Sequence, residues 1–393
     1  MPKTRRINWD VLRILAVLAV LLQHATHAGP SVHRELGPPA FTFSLEMGAS
    51  TLVVISAFFA CAALAKGEPA RFLRNRLARL LPAYVVAATC AYTVLRYVAP
   101  PGWSFLEPRD LLVNALMLQN WFPDVRLVDF SYWTLPVQVA GFVAGALLVG
   151  RVRGAGLPVL LWTLVVAPLV LRVWTVEPGF VRTFYDGFGA HRAQLFAAGV
   201  GIWLWSRDRI TTRHLALLLP AVLVAQAVHS ADVPSTLALG VMLVAVAACA
   251  AGPDWTVWPL TVLRRPVRWL AGISYGVYLV HQEIGYVVMA AVAGYGPWVE
   301  LAAFLGTAVG LGWLLTRCVE RPAHRALTAS RPELAGLLLT AGLRAQSHFG
   351  SVGAVPFSSA PLWRPVSQPS TAAALPLTVR DSPALPEPNG QVR

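Results

Sequence analysis

The sequence predicts an all-α fold: a polytopic membrane helix bundle of about ten transmembrane helices, followed by a disordered C-terminal tail. Three observations carry that prediction. Only 13% of the 393 residues are charged and 56% are hydrophobic, whereas a soluble domain carries about 25% charged residues. Apolar runs long enough to span a bilayer recur along residues 9–318. Basic residues gather in every second loop between those runs, the pattern that orients membrane proteins.

The runs fall at about 9–28, 44–65, 81–99, 132–150, 157–175, 190–206, 213–229, 235–251, 267–291 and 299–318. The sixth is short and polar at its start. Lys3, Arg5 and Arg6 precede the first run, and Lys66, Arg71, Arg74, Arg76 and Arg79 separate the second from the third. Arg151 and Arg153, then Arg207, Arg209 and Arg213, then Arg264, Arg265 and Arg268 follow in alternate loops, and Arg317, Arg321 and Arg325 close the series. With ten spans, all of these lie on one side, so both termini are expected in the cytoplasm of a multi-pass plasma-membrane protein. The net charge of +13 is therefore read as orientation on a lipid bilayer, with no nucleic-acid partner. Lys3 and Lys66 are the only lysines among 32 basic residues, a bias that suggests a high-GC bacterial genome. Trp9 and Trp269 read as anchors at the inner interface.

Residues 1–330 make the membrane domain. Residues 331–393 read as a cytoplasmic tail: a short apolar piece at 332–344, then a stretch rich in Pro, Ser and Ala that has no means of building a core. The longest outward loop, about 100–131, is rich in Pro and aromatics and reads as a lid or binding element. Cys61, Cys90, Cys249 and Cys318 sit in apolar segments with neither metal-ligand nor disulfide spacing.

The first run holds three groups that lipid does not favour: Asp10, Arg13 and His24. At about 100° per residue they fall within about 60° of one another, on one helix face. Arg13 and His24 are separated by about 16 Å of rise, which excludes direct contact. Ionisable groups at such depth normally face a bundle interior or a wet cavity, and mark function. Arg74, Arg76 and Arg79 crowd the entry to the third span, and guanidinium forks suit phosphate. Tyr132-Trp133-Thr134-Leu135-Pro136-Val137-Gln138 opens the fourth span. In the ninth, Ser274, Tyr278 and His281 share a face at spacings of four and three. Counted from Trp9 and Trp269, His24 and His281 lie about 22 and 18 Å above the inner interface, at similar depth.

Together these motifs resemble acyltransferase family 3, the integral membrane acyltransferases that modify sugars, surface polysaccharides and some antibiotics. The resemblance covers about residues 5–325. It rests on Asp10, Arg13 and His24 in the first helix, and on Arg74-x-Arg76 followed by Arg79-x-x-Pro82-x-Tyr84. Trp133-Thr134-Leu135, Ser274-Tyr275-x-x-Tyr278-Leu-x-His281 and Glu320-Arg321-Pro322 continue it. His191-Arg192 and Phe196-Ala-Ala-Gly199 match a sixth-span pattern more loosely. Two positions depart: Gln138 stands where the family usually has Glu, and Ala57 where it has the Gly of Ser-Gly-Phe. A neutral amide cannot act as a base, and Ala57 narrows the space for close backbone approach.

The resemblance implies transfer of an acyl group, most often acetyl, from acyl-CoA to a hydroxyl of a sugar-containing acceptor such as a polysaccharide, glycolipid or macrolide. No permanently bound cofactor and no metal is implied. A hydroxyl needs a base, and His is the usual one near neutral pH. His24 is the expected general base, with Arg13 and Asp10 in its stripe. Arg74, Arg76 and Arg79 are expected to hold the CoA phosphates, and Trp133, Gln138, Tyr278 and His281 to bind substrate, His281 by orienting or binding the acceptor. A transporter or flippase of an acyl or glycolipid species, or a catalytically inactive relative, fits the same buried charges, although no internal repeat is visible.

Overall fold

The computed structural model describes residues 6–329 except 256, 259 and 261, and the expected tail at 331–393 lies outside the described residues. These residues form helices and no strand. In chain order the helices are α1 (Ile7–Val32), α2 (Met47–Leu64), α3 (Pro69–Tyr97), the short α4 (Pro108–Ala115), α5 (Thr134–Leu148), α6 (Gly156–Leu171) and the short α7 (Phe180–Gly187). Then come α8 (Ala193–Trp205), α9 (Thr212–Ser230), α10 (Val233–Ala251), α11 (Arg264–Val280), α12 (Glu283–Ala291), α13 (Pro297–Leu315) and α14 (Arg321–Thr328).

Eight continuous helical stretches among the described residues are long and apolar enough to cross a membrane. The two remaining expected spans differ for physical reasons. The sixth is α8, only 13 residues long, because the polar His191-Arg192 segment before it folds as a 3₁₀ turn. The ninth is broken into α11 and α12 at His281-Gln282, where polar side chains interrupt the apolar run.

α1 lies between α2 and α11. Trp9, Leu12 and Ala16 pack into one core with Val53, Val54 and Phe58 of α2 and Ala198 and Ile202 of α8. Val17, Leu21 and Ala25 pack into another with Ile273 and Val277 of α11, Tyr286 of α12 and Phe304 of α13. Trp9 is buried against Phe58 and Phe59, with ring centroids 4.7 and 4.9 Å away. It is a core residue and not the interfacial anchor expected. Trp269 stays half exposed.

Small residues bring the helices close, as they do in lipid, where van der Waals packing drives association. A methyl on Gly312 of α13 would lie 2.5 Å from the Val277 nitrogen of α11. Gly199 of α8 faces Ala57 of α2, and a methyl on it would come within 2.7 Å of the Ala57 methyl. The side chain missing at Gly199 thus makes room for the one present at Ala57, so this departure from the family pattern is absorbed by packing.

Two helices contain a π turn, at His24–Ala28 and Thr316–Glu320. Such turns are rare and concentrate at functional sites. Both here carry polar side chains that face other helices.

Gly312→Val forces α11 and α13 apart. It should destabilise the detergent-purified protein by at least the amount typical of overpacking, about 1–3 kcal/mol, read as a lower thermal midpoint. Ala57→Gly should change that midpoint little.

Candidate active site

The break in the ninth span explains the site. In an unbroken helix the carbonyls of Tyr278 and Leu279 would accept the N–H groups of Gln282 and Glu283. Here Tyr278 O accepts from His281 Nδ1 at 2.7 Å, and Leu279 O accepts from the Tyr132 hydroxyl at 2.8 Å. The Glu283 N–H donates to Asp129 Oδ2 at 3.3 Å. The segment Asp129–Tyr132 therefore satisfies two of the backbone groups that the break releases, and the His281 ring a third. A buried interruption of a helix needs such partners.

The break turns the His281 imidazole across to α1. Its Nε2 lies 3.0 Å from Nδ1 of His24, and the two rings stack with centroids 4.9 Å apart. The proton positions follow from the partners. A carbonyl only accepts, so His281 Nδ1 carries hydrogen. With both rings neutral, His281 Nε2 then accepts, and His24 Nδ1 must donate to it. That leaves a lone pair on His24 Nε2. The equal depth inferred for the two histidines becomes direct contact.

Two cavities lie along α1, and His24 borders the larger of them. The larger, about 760 Å³, is lined by His24, Gln23, Glu46, Trp133, Arg192 and Gln282 among others. Asn120, Leu127 and Phe130 from the long loop also line it, which gives that loop the wall position expected of a binding element. The smaller, about 370 Å³, is lined by Arg13, Arg76, Arg79, Gln138 and Ser274. Tyr278 borders both. Its hydroxyl donates to Ser131 O at 2.7 Å and lies 3.0 Å from the Thr134 hydroxyl. Tyr278, which lines both cavities, is thus held by hydrogen bonds at its hydroxyl.

The predicted site residues separate between these spaces. His24 borders the larger cavity and Arg13 the smaller, at different levels of one helix. Asp10 is buried and lines neither. Trp133 borders the larger cavity, and Gln138 borders the arginine-lined one. His281 is fully buried and lines neither of these cavities; its side chain meets His24.

The arginine trio also separates. Arg74 is exposed and lines neither cavity. Arg79 Nε pairs with Glu320 at 2.8 Å, and Thr316 in the same π turn donates to the other Glu320 oxygen at 3.1 Å. Glu320 is buried, so losing Arg79 strands a carboxylate. Arg76 stands over the rings of Phe72 and Phe142, at 5.6 and 5.4 Å from their centroids, an arrangement that holds a guanidinium without neutralising it.

Sequence reasoning missed Gln23, Glu46, Asp129, Gln282, Glu283 and Tyr286. Polar residues inside or beside apolar runs were the available signal, strongest at Gln282-Glu283 next to His281. Gln23 Nε2 donates to Glu46 at 3.3 Å, and Gln282 Nε2 donates to Glu283 at 3.2 Å.

If His281 fixes the His24 tautomer, His281→Ala should reduce turnover by at least about tenfold, since a misoriented or wrong-tautomer imidazole is a poor base. His281→Gln should recover part of it, because the amide oxygen can accept from His24 Nδ1. Equal loss in both folded variants would contradict this role.

The family model described as an acyltransferase domain matches residues 6–317. No curated protein and no solved structure gives a significant match.

Proposed function

The chain belongs to acyltransferase family 3, and from that premise we propose that this membrane acyltransferase moves an acyl group, typically acetyl, from acyl-CoA to a hydroxyl of a sugar-containing acceptor. The observation that carries this reading is the His24–His281 pair at the wall of the larger cavity, whose neutral form leaves the lone pair on His24 Nε2.

The arginine pattern of the loops orients the bundle with both termini in the cytoplasm. The cavity lined by Arg13, Arg76 and Arg79 then opens toward the cytoplasm, where acyl-CoA is found. Arg76 is the principal phosphate contact in this scheme, because Arg79 is already engaged by Glu320. Arg13 lines the same space deeper along α1. Arg74, exposed outside the cavity, contributes long-range attraction. The larger cavity takes the acceptor. The donor's flexible arm brings the thioester past Tyr278 to the level of His24.

The chemistry follows from the tautomer. The acceptor oxygen attacks the thioester carbonyl carbon as its proton passes to His24 Nε2. His281 Nε2 accepts from His24 Nδ1–H throughout and stabilises the imidazolium. When the tetrahedral intermediate collapses, the C–S bond breaks, and the sulfur leaves with the proton returned by His24. The Gln138 departure is tolerable in this scheme, because Gln138 lines the donor cavity and the base is His24.

The test is acetyl transfer from acetyl-CoA by purified protein. His24→Ala should lose about 10²–10⁴-fold in rate, the usual contribution of a general base, while donor binding is retained. Arg76→Ala should instead raise the KM for acetyl-CoA, with Lys rescuing only partly because it lacks the planar fork. Wild-type turnover in a folded His24→Ala protein would sink the mechanism.

A further inference from the structure

Ten side-chain polar atoms among the described residues are buried with no hydrogen-bond partner. Three of them, Arg192 Nε, Gln282 Oε1 and the Tyr286 hydroxyl, belong to residues that line the larger cavity. Leaving such an atom unsatisfied is costly, more so for a charged group, so each orphan needs a physical explanation. A ligand in the cavity supplies one.

Gln282 and Tyr286 are only 5% and 1% exposed. They stand four residues apart at the start of α12 and so share one helix face. One offers a carbonyl oxygen that accepts, the other a hydroxyl that both donates and accepts. This is a pair suited to sugar hydroxyls, placed directly after His281.

Arg192 is different in kind. Its guanidinium lies 4.4 Å from the Trp133 ring, which fixes its plane but supplies no counter-charge. None of the ion pairs among the described residues includes it. The carboxylates that line the same cavity are engaged elsewhere. Asp186 lies 3.6 Å from Arg182, Asp232 caps α10 through the Ser235 N–H at 3.0 Å, and Glu283 accepts from Gln282; Glu46, which accepts from Gln23, attracts Arg192 across the cavity without forming an ion pair with it. A largely enclosed guanidinium with an unpartnered Nε and its one attracting carboxylate beyond ion-pair distance is better satisfied when a ligand brings an anion to it directly.

We propose that the larger cavity binds an acidic sugar residue, with Arg192 taking its carboxylate or phosphate group and Gln282 and Tyr286 taking hydroxyls. The inference rests on the reading of this cavity as the acceptor site, and it narrows the acceptor from any sugar to an anionic one.

The test is direct binding to the full-length protein in detergent, by calorimetry, without acyl donor. The probes are methyl glucoside, methyl glucuronide and glucose 6-phosphate, with inorganic phosphate as the control for general attraction to a basic protein. At least one charged sugar should bind about tenfold or more tightly than the glucoside and than inorganic phosphate. Arg192→Gln should erase that preference, and Arg192→Lys should keep part of it. Tyr286→Phe should weaken all three sugars to a similar degree. Which charged sugar binds better identifies carboxylate or phosphate as the anion. Equal binding of charged and neutral sugars, no binding of any, or a preference that survives in Arg192→Gln overturns the proposal. If Arg192→Gln does not fold, the wild-type comparison and Arg192→Lys still decide it. Because no acyl transfer is needed, a protein that binds the acidic sugar but transfers nothing keeps this subsite and loses the transferase reading.

Discussion

The hydrogen bond from His24 Nδ1 to His281 Nε2 joins the first helix to the ninth span at 3.0 Å, and several otherwise odd features serve it. The ninth span breaks at His281, which frees the Tyr278 carbonyl to fix one nitrogen of that ring. Asp129 and Tyr132 accept the cost of the break by bonding the stranded backbone groups. A π turn begins at His24 itself. The close approach of α11 and α13 at Gly276 and Gly312 packs the far side of α11. In a low-dielectric interior a neutral chain of donor and acceptor is tolerated where an unpaired charge is not.

This arrangement separates two electrostatic environments along one helix. Arg13 lies in a small space lined by cationic groups, His24 borders a larger one, and Tyr278 lines both. A reaction between a phosphate-bearing donor and a hydroxyl acceptor benefits from that separation. In the proposed reaction each substrate would be recognised in its own space, and only the reacting group would reach the base.

The helical class, the polar stripe of α1 and the matching depth of His24 and His281 were legible in the sequence, because helical periodicity and apolar run length report them directly. Other features depend on contacts between residues far apart in the chain. Arg79 and Glu320 are 241 positions apart, so nothing local to the arginine motif shows that one of its members is already paired. The compensation between Ala57 and Gly199 is hidden for the same reason. In the sequence Arg192 belongs only to a loose motif, since its stacking on Trp133 exists only in the folded bundle. The break at His281 had a local signal in the polar run His281-Gln282-Glu283. The surrounding helical spacing masked it.

The most direct measurement is the tautomeric state of the two histidines, read by solid-state ¹⁵N NMR of histidine-labelled protein in lipid bilayers, with His24→Ala and His281→Ala spectra for assignment. The account predicts that near neutral pH both rings are neutral and protonated at Nδ1, with an inter-ring hydrogen bond between His24 Nδ1 and His281 Nε2. A proton on His24 Nε2, or a permanently charged pair, would leave no base facing the cavity and would contradict it.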